Sequence, residues 1–153
     1  MFDMLVKLYG LPELHPAIEV VEGKGYAIRR AMAYERTKVS TWLHAFHPEW
    51  VEECEASFAQ SPISCFIATC GGEVVGFASY DVAAKNMFGP TGVQESARGA
   101  GLGAALLLSC LHQMRSNGYA YGIIGGVGPR TFYEKTVGAV SIEGSTPGIY
   151  VDC

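Results

Sequence analysis

Residues 98 to 104 read Arg98-Gly99-Ala100-Gly101-Leu102-Gly103-Ala104 and lead straight into Ala104-Ala105-Leu106-Leu107-Leu108-Ser109-Cys110-Leu111. No other stretch limits the fold so strongly. Glycines at alternate positions permit positive φ and close backbone approach. The apolar run behind them is too long for a strand after so many glycines, which predicts a helix buried on most of its circumference. Just upstream, Phe88 to Val93 reads as a strand. A strand, a glycine turn and a buried helix in succession gather the free N–H groups and the positive dipole end of the helix into an anion site. A turn that only lets the helix pack on the strand is the simpler explanation. The charge pattern weighs against it. The chain carries 11 basic and 15 acidic residues, yet Ser96 to Tyr133 holds Arg98, Arg115 and Arg130 and no acid, so this window is +3 and the remainder −7.

The rest of the chain gives the loop its setting. Of 19 glycines, ten lie between Gly89 and Gly128, so the excess is local. A hydrophobic content of 49% over 153 residues suits one globular core, and neither repeats nor linker-like shifts divide residues 1–153. Residues 1–24 read as a lead-in, with Met4 to Leu11 a short strand or irregular. Tyr26 to Arg30 reads as a strand, 33–46 and 49–60 as helices. Ser64 to Thr69 and Glu73 to Asp81 form a hairpin across Gly71-Gly72. After the loop helix, which ends near Asn117-Gly118, Tyr119 to Ile124 is a strand and Pro129 to Val137 a short helix. Ala139 to Val151 supplies the closing strand or strands. A hairpin makes neighbours antiparallel and a strand-helix-strand unit makes them parallel, so the reading is an α/β (α+β) domain with a mixed central sheet flanked by helices.

Two phosphate loops are poor matches. A Walker A loop ends in G-K-[ST], whereas this one ends in Gly103-Ala104-Ala105. Gly99-x-Gly101-x-x-Ala104 satisfies the looser dinucleotide fingerprint, but no acid follows until Glu134, where a ribose-binding carboxylate is needed roughly 20 residues on. A dinucleotide-binding oxidoreductase is therefore a distant third reading.

Val93-x-x-x-x-Arg98-Gly99-x-Gly101-x-Gly103 resembles the acetyl-CoA pyrophosphate loop of the GNAT superfamily of N-acyltransferases, [RQ]-x-x-G-x-[GA] after a strand ending in a small apolar residue. Phe132-Tyr133-Glu134-Lys135-x-x-Gly138-Ala139 resembles that family's F-Y-x-K-x-G-[FA] helix. With the two motifs at the expected separation and the elements in a matching order, the resemblance covers roughly Tyr26 to Val151. One departure is Glu95, where many members have proline.

The resemblance implies an acetyl-CoA-dependent N-acetyltransferase acting by direct attack on a primary amine of an unidentified small acceptor. A non-catalytic acyl-CoA-binding module is the alternative. It implies that the strand before the loop splays from its neighbour at the CoA site, with Gly92 and Val93 at its end, and that the Val93 backbone N–H polarises the thioester carbonyl. Arg98, Gly99, Ala100, Gly101, Leu102, Gly103 and Ala104 would hold the pyrophosphate, with Phe132 and Tyr133 beside the cofactor. Tyr133 matches the acid that protonates the departing thiolate. It also implies that the helix pair and the last hairpin shape the acceptor site, which makes Trp42, Trp50 and Tyr150 candidates. The acceptor's base is left open among Asp81, Glu95 and Glu143. The run Phe88 to Val93 together with Gly125 to Pro129 further resembles a subgroup linked to amino-sugar metabolism.

The remaining features narrow the context. Net charge of −4 argues against nucleic acid or an anionic membrane as partner. No apolar run approaches the roughly 18 residues of a span, and no secretory leader opens the chain, so a cytoplasmic protein is expected. Five cysteines without a C-x-x-C pair read as reduced thiols. His44 and His47 have no third ligand at motif spacing, so no metal is expected. A homodimer is compatible with the resemblance.

Overall fold

A computed structural model describes all residues, 1–153. Seven strands form one sheet: β1 (Met4–Lys7), β2 (Tyr26–Arg30), β3 (Cys65–Cys70), β4 (Glu73–Tyr80), β5 (Met87–Val93), β6 (Tyr121–Ile124) and β7 (Val140–Ser141), in the order β2-β3-β4-β5-β6-β1-β7. Five helices cover it: α1 (Leu14–Glu22), α2 (Arg36–Phe46), α3 (Val51–Ser57), α4 (Leu102–Ser116) and α5 (Arg130–Val137). Only β5 and β6 pair in parallel, joined through α4; every other neighbour is antiparallel. The sheet is mixed, as the hairpin and the strand-helix-strand unit require.

The sheet carries an apolar cluster on each face, and β4 serves both. Residue pairing jumps from Ala68↔Gly76 to Thr69↔Val74, leaving Val75 as an extra residue in β4. The bulge shifts the alternation. Val74 and Phe77 join Val39, Leu43, Cys65 and Ile67 beneath α2 and α3, while Val75 and Ala78 pack against Leu106, Leu107 and Cys110 of α4. From Ala105 to Leu111 every residue of α4 is buried, as its apolar run predicts. Gly76 brings that helix close, since a Cβ there would stand 3.3 Å from the Leu106 side chain and 3.2 Å from the Gly92 carbonyl.

Two regions depart from the sequence reading. The first residues contribute β1, which takes the short-strand reading of Met4 to Leu11 and lies between β6 and β7, and also α1, a helix not expected there, which packs against α4. The closing segment forms only the two-residue β7, followed by irregular chain and a 3₁₀ turn at Gly148–Tyr150. Positive φ at Gly144 (+74°) and Gly148 (+70°) breaks the extended run. This segment is held by side chains instead. The Asp3 N–H donates to Ser145 Oγ at 2.8 Å, and the Thr146 hydroxyl donates to the Met1 carbonyl at 2.7 Å.

Between β2 and α2, Arg29 grips Glu35 through two hydrogen bonds, 2.8 and 2.5 Å, and the Met32 N–H donates to the same carboxylate at 2.9 Å. The Arg29 partner is the main cause that holds Glu35 at about 2. A carboxyl depressed in this way stabilises the fold fully above its ordinary value of about 4.5 and loses that contribution as pH falls through about 2. Replacing Glu35 by Gln is expected to cost about 1–2 kcal/mol near neutral pH, after discounting for the half-exposed Arg29 side. Chemical denaturation at pH 7 and pH 2 should show the wild-type and variant stabilities converging in acid.

Candidate functional site

The site begins where β5 leaves β6. Their pairing covers Met87↔Ile123 and Phe88↔Ile124 and then stops, while β5 stays paired with β4 through Thr91↔Ala78, Gly92↔Phe77 and Val93↔Gly76. Between Phe88 and Thr91, β5 carries one residue more than the β4 segment opposite it. The surplus falls at Gly89-Pro90, where Gly89 adopts φ +121°. Proline lacks the N–H for a ladder bond, and bulged strands bend. The two strands therefore splay, and the β6-side edge of residues 89–93 is left open. Because the Gln94 N–H donates to Val75 on the β4 side at 2.8 Å, strand alternation turns the Val93 N–H toward the open edge.

The glycine loop continues from that edge. Arg98 Nε donates to the Val93 carbonyl at 3.2 Å, folding the loop back on its own strand. Gly99 and Gly101 sit at φ +83° and +94°, where side chains are strained. Gly101 starts α4, and no side chain caps it. The first helical N–H groups, those of Leu102, Gly103 and Ala104, consequently lack intrahelical partners. Lys24 Nζ donates to the Ala100 carbonyl at 3.1 Å, which places a fourth cation beside this acid-free window. A diphosphate fits this cradle of free donors, dipole and cations. Phe132 closes its far side, with its ring 3.5 Å from where a Gly103 Cβ would lie.

A cavity of about 490 Å³ opens on the same gap, walled by β5 from Met87 to Thr91, by Gly125, Gly126 and Gly128, by Tyr133 of α5, by Trp50 and Glu53 near and on α3, and by Tyr150. Tyr133 is only 5% exposed and packs edge-on to Phe88 and Phe132. Burial pushes its hydroxyl up to about 12. That hydroxyl makes no hydrogen bond within the protein, yet it is not among the sealed, unsatisfied side-chain atoms, which are Ser64 Oγ and Ser79 Oγ alone. It therefore opens onto the cavity that its residue lines.

The other expected residues divide. Trp50 and Tyr150 line the cavity, whereas Trp42 does not. Trp42 is buried against Phe77, and its indole N–H donates to Gln94 Oε1 at 3.1 Å, steadying the start of the loop from behind. Asp81 is occupied in the β4–β5 turn, where it accepts from the Asn86 N–H at 2.7 Å and the Tyr119 hydroxyl at 3.3 Å. Neither Asp81, Glu95 nor Glu143 lines the cavity. Gly92 answers to packing on the α2–α3 side: a Cβ there would fall 2.9 Å from the His47 ring and 3.0 Å from Trp50, two rings stacked at 4.7 Å. For Glu49, Glu52, Glu53 and Glu55 the sequence favours dipole complementarity at a helix start, with an acceptor cleft that attracts a cationic amine as the alternative; the structure puts Glu49 and Glu53 on the cavity wall. The partner that brings them to the cavity, β5, is distant in sequence.

Gly122, Gly125 and Gly126, beyond the loop, have physical causes of their own. Side chains at Gly122 and Gly125 would meet Leu8 and Met114, and Met87, respectively. Gly126 has φ +56°, and its N–H donates to Asp3 Oδ1 at 3.0 Å. No group of three or more His, Cys, Asp or Glu converges as a metal site, all five cysteines are free thiols, and no helix is long and apolar enough to cross a membrane.

The family model for the acetyltransferase (GNAT) family matches residues 30–138, and the chain belongs to that family. Its members are acyl-CoA-dependent transferases. No curated protein is significantly similar in sequence. Among solved structures, the GCN5-related glucosamine N-acetyltransferase region of a fungal multi-domain GH3 β-N-acetylglucosaminidase superposes with a TM-score of 0.76 at 12% identity, over 92% of this chain and 19% of that one. A GCN5-related N-acetyltransferase from Sphaerobacter thermophilus gives 0.70 at 20% identity, over 92% and 48%. At such identities the likeness is one of fold. The chain spans from about a fifth to about half of the length of these structures.

Substituting Gly92 by Ala is expected to force His47 and Trp50 apart and to cost about 1–3 kcal/mol. Urea denaturation compared with wild type measures it, with Gly99→Ala as a control for left-handed strain without a clash, since nothing stands within 4 Å of its Cβ position.

Proposed function

We propose that the protein transfers an acetyl group from acetyl-CoA to a primary amine of a small acceptor by direct attack. One observation carries this reading: the open edge of β5 and Tyr133, whose hydroxyl has no partner, border one cavity, and the uncapped start of α4 follows from that same edge through the loop that Arg98 ties to Val93. The pyrophosphate would lie on the N–H groups of the loop from Gly99 to Ala104, beside Arg98, and the pantetheine arm along residues 89–93. The thioester would thereby be fixed at the end of β5. Positioning of this kind supplies on the order of 7–11 kcal/mol of a barrier.

The amine nitrogen attacks the thioester carbonyl carbon, and the Val93 N–H stabilises the oxyanion that forms. As the C–N bond completes, the C–S bond breaks and its electron pair leaves on sulfur. Tyr133 gives its proton to that thiolate and regains one from solvent, while the proton lost by the amine passes to water. A hydroxyl held near 12 stays protonated across the working range, which keeps the donor loaded at the cost of driving force. Residues 1–153 would act as one catalytic unit, the opening segment included, because β1 completes the sheet. The glucosamine-acetylating fungal neighbour makes hexosamines sensible first acceptors to assay.

Coenzyme A at a hundred times its Kd is expected to stabilise the protein by about 2.7 kcal/mol, read as a thermal shift. Tyr133→Phe should keep that shift and lower kcat about a hundredfold; unchanged turnover removes the acid role. Binding of coenzyme A without thiol release over a panel of amines would instead assign the chain a non-catalytic, acyl-CoA-binding role. No thermal shift at millimolar coenzyme A removes both.

A further inference from the structure

The charged side chains lining the cavity are all of one sign. Glu49 and Glu53 are the only ones, and no Lys, Arg or His side chain lines it. Glu53 is half-buried, with no hydrogen bond or ion pair to any protein group, and burial pushes its carboxyl above the ordinary range. Glu49 Oε1 stands 3.7 Å from His47 Nδ1 at the rim. Asp3 lies near enough to add to the effect on Tyr150, whose hydroxyl is raised first by burial and then by the neighbouring Glu53 and Asp3 carboxylates. The acids do not stand alone: Tyr133, a residue nineteen-twentieths buried whose hydroxyl is unpartnered and not sealed, borders the same space. Apolar and aromatic walls of Trp50, Met87, Phe88 and Pro90 surround them. A desolvated carboxylate left without a donor is destabilised until a cation meets it.

We infer that this cavity selects a cationic primary amine whose other groups carry no negative charge, and that Glu53, supported by Glu49, holds its ammonium. The inference rests on the acetyltransferase reading and narrows its substrate class. A phosphate or carboxylate on the acceptor would face Glu49 and Glu53 with no cationic side chain in the lining to receive it, so phosphorylated amines and free amino acids are rejected. Unphosphorylated amino sugars and simple diamines fit. Glu53 is a specificity-determining residue, and its removal should fall on KM for the acceptor rather than on the affinity for coenzyme A.

The test uses the full chain with acetyl-CoA and four amines: glucosamine, glucosamine 6-phosphate, cadaverine and lysine. Acceptor binding is also measured by calorimetry on protein saturated with coenzyme A. The expected result is a kcat/KM at least tenfold higher for glucosamine than for its 6-phosphate, and for cadaverine than for lysine. Glu53→Gln should raise the acceptor KM tenfold or more with an unchanged coenzyme A Kd and melting temperature, Glu53→Asp should recover part of it, and Glu49→Gln should have a smaller effect. Equal or better use of the anionic amines overturns the inference, as does an acceptor KM indifferent to Glu53→Gln. Coenzyme A binding with no amine bound or acetylated also overturns it and leaves the cofactor site standing. Failure to bind coenzyme A removes the acetyltransferase reading itself.

Discussion

The parting of β5 from β6 after Phe88 is the constraint on which the rest of the structure depends. A parallel pair continued through Val93 would have used its edge in ladder hydrogen bonds and left no gap between the strands. The surplus residue at Gly89-Pro90 prevents this. Proline removes a donor, glycine accepts a conformation that few residues tolerate, and the strand bends away while its other edge stays fixed to β4. From that one irregularity follow the cavity, the outward N–H of Val93 and the position of the loop that Arg98 ties back to the same strand.

What could be read from the chain followed from local rules. The loop helix announced itself by an unbroken apolar run after glycines, and the hairpin by Gly71-Gly72. Tyr26 to Arg30 has the same limits in the structure as in the sequence. The parts that escaped were set by distant partners. β1 is four residues long, too short for its period to decide between a short strand and irregular chain. It is a strand because β6 and β7 lie on either side of it, while α1 behind it escaped the sequence reading altogether. The closing segment carries β-branched and aromatic residues but is fixed by Asp3 and Met1, at the other end of the chain.

The site was legible to the same degree. The glycine loop and the buried helix it opens could be located because glycine spacing and an apolar run are sequence properties. Tyr133 and Phe132 could be separated because adjacent residues on a helix face different ways, and they do, one toward the cavity and one toward Gly103. The acceptor side was harder. Trp42 and Trp50 look alike in sequence, eight residues apart on neighbouring helical turns, but one is consumed by Gln94 and the core while the other meets the cavity. Burial of a tryptophan on one side of a helix pair is decided by the sheet beneath, not by the pair.

Alternation along β3 and β4 feeds two apolar clusters on opposite faces of one sheet, and the bulge at Val75 resets which residues of β4 face which. α4 and Tyr133 belong to one cluster, and the residues of α3 beside Glu53 belong to the other. The proposed donor machinery and acceptor wall are thus anchored in separate cores that share only the strands β3 and β4. Substitutions that repack α2 and α3 can reshape one wall of the cavity while the glycine loop keeps its footing. On the proposed function, a lineage built this way can change what it acetylates without first relearning how to hold coenzyme A.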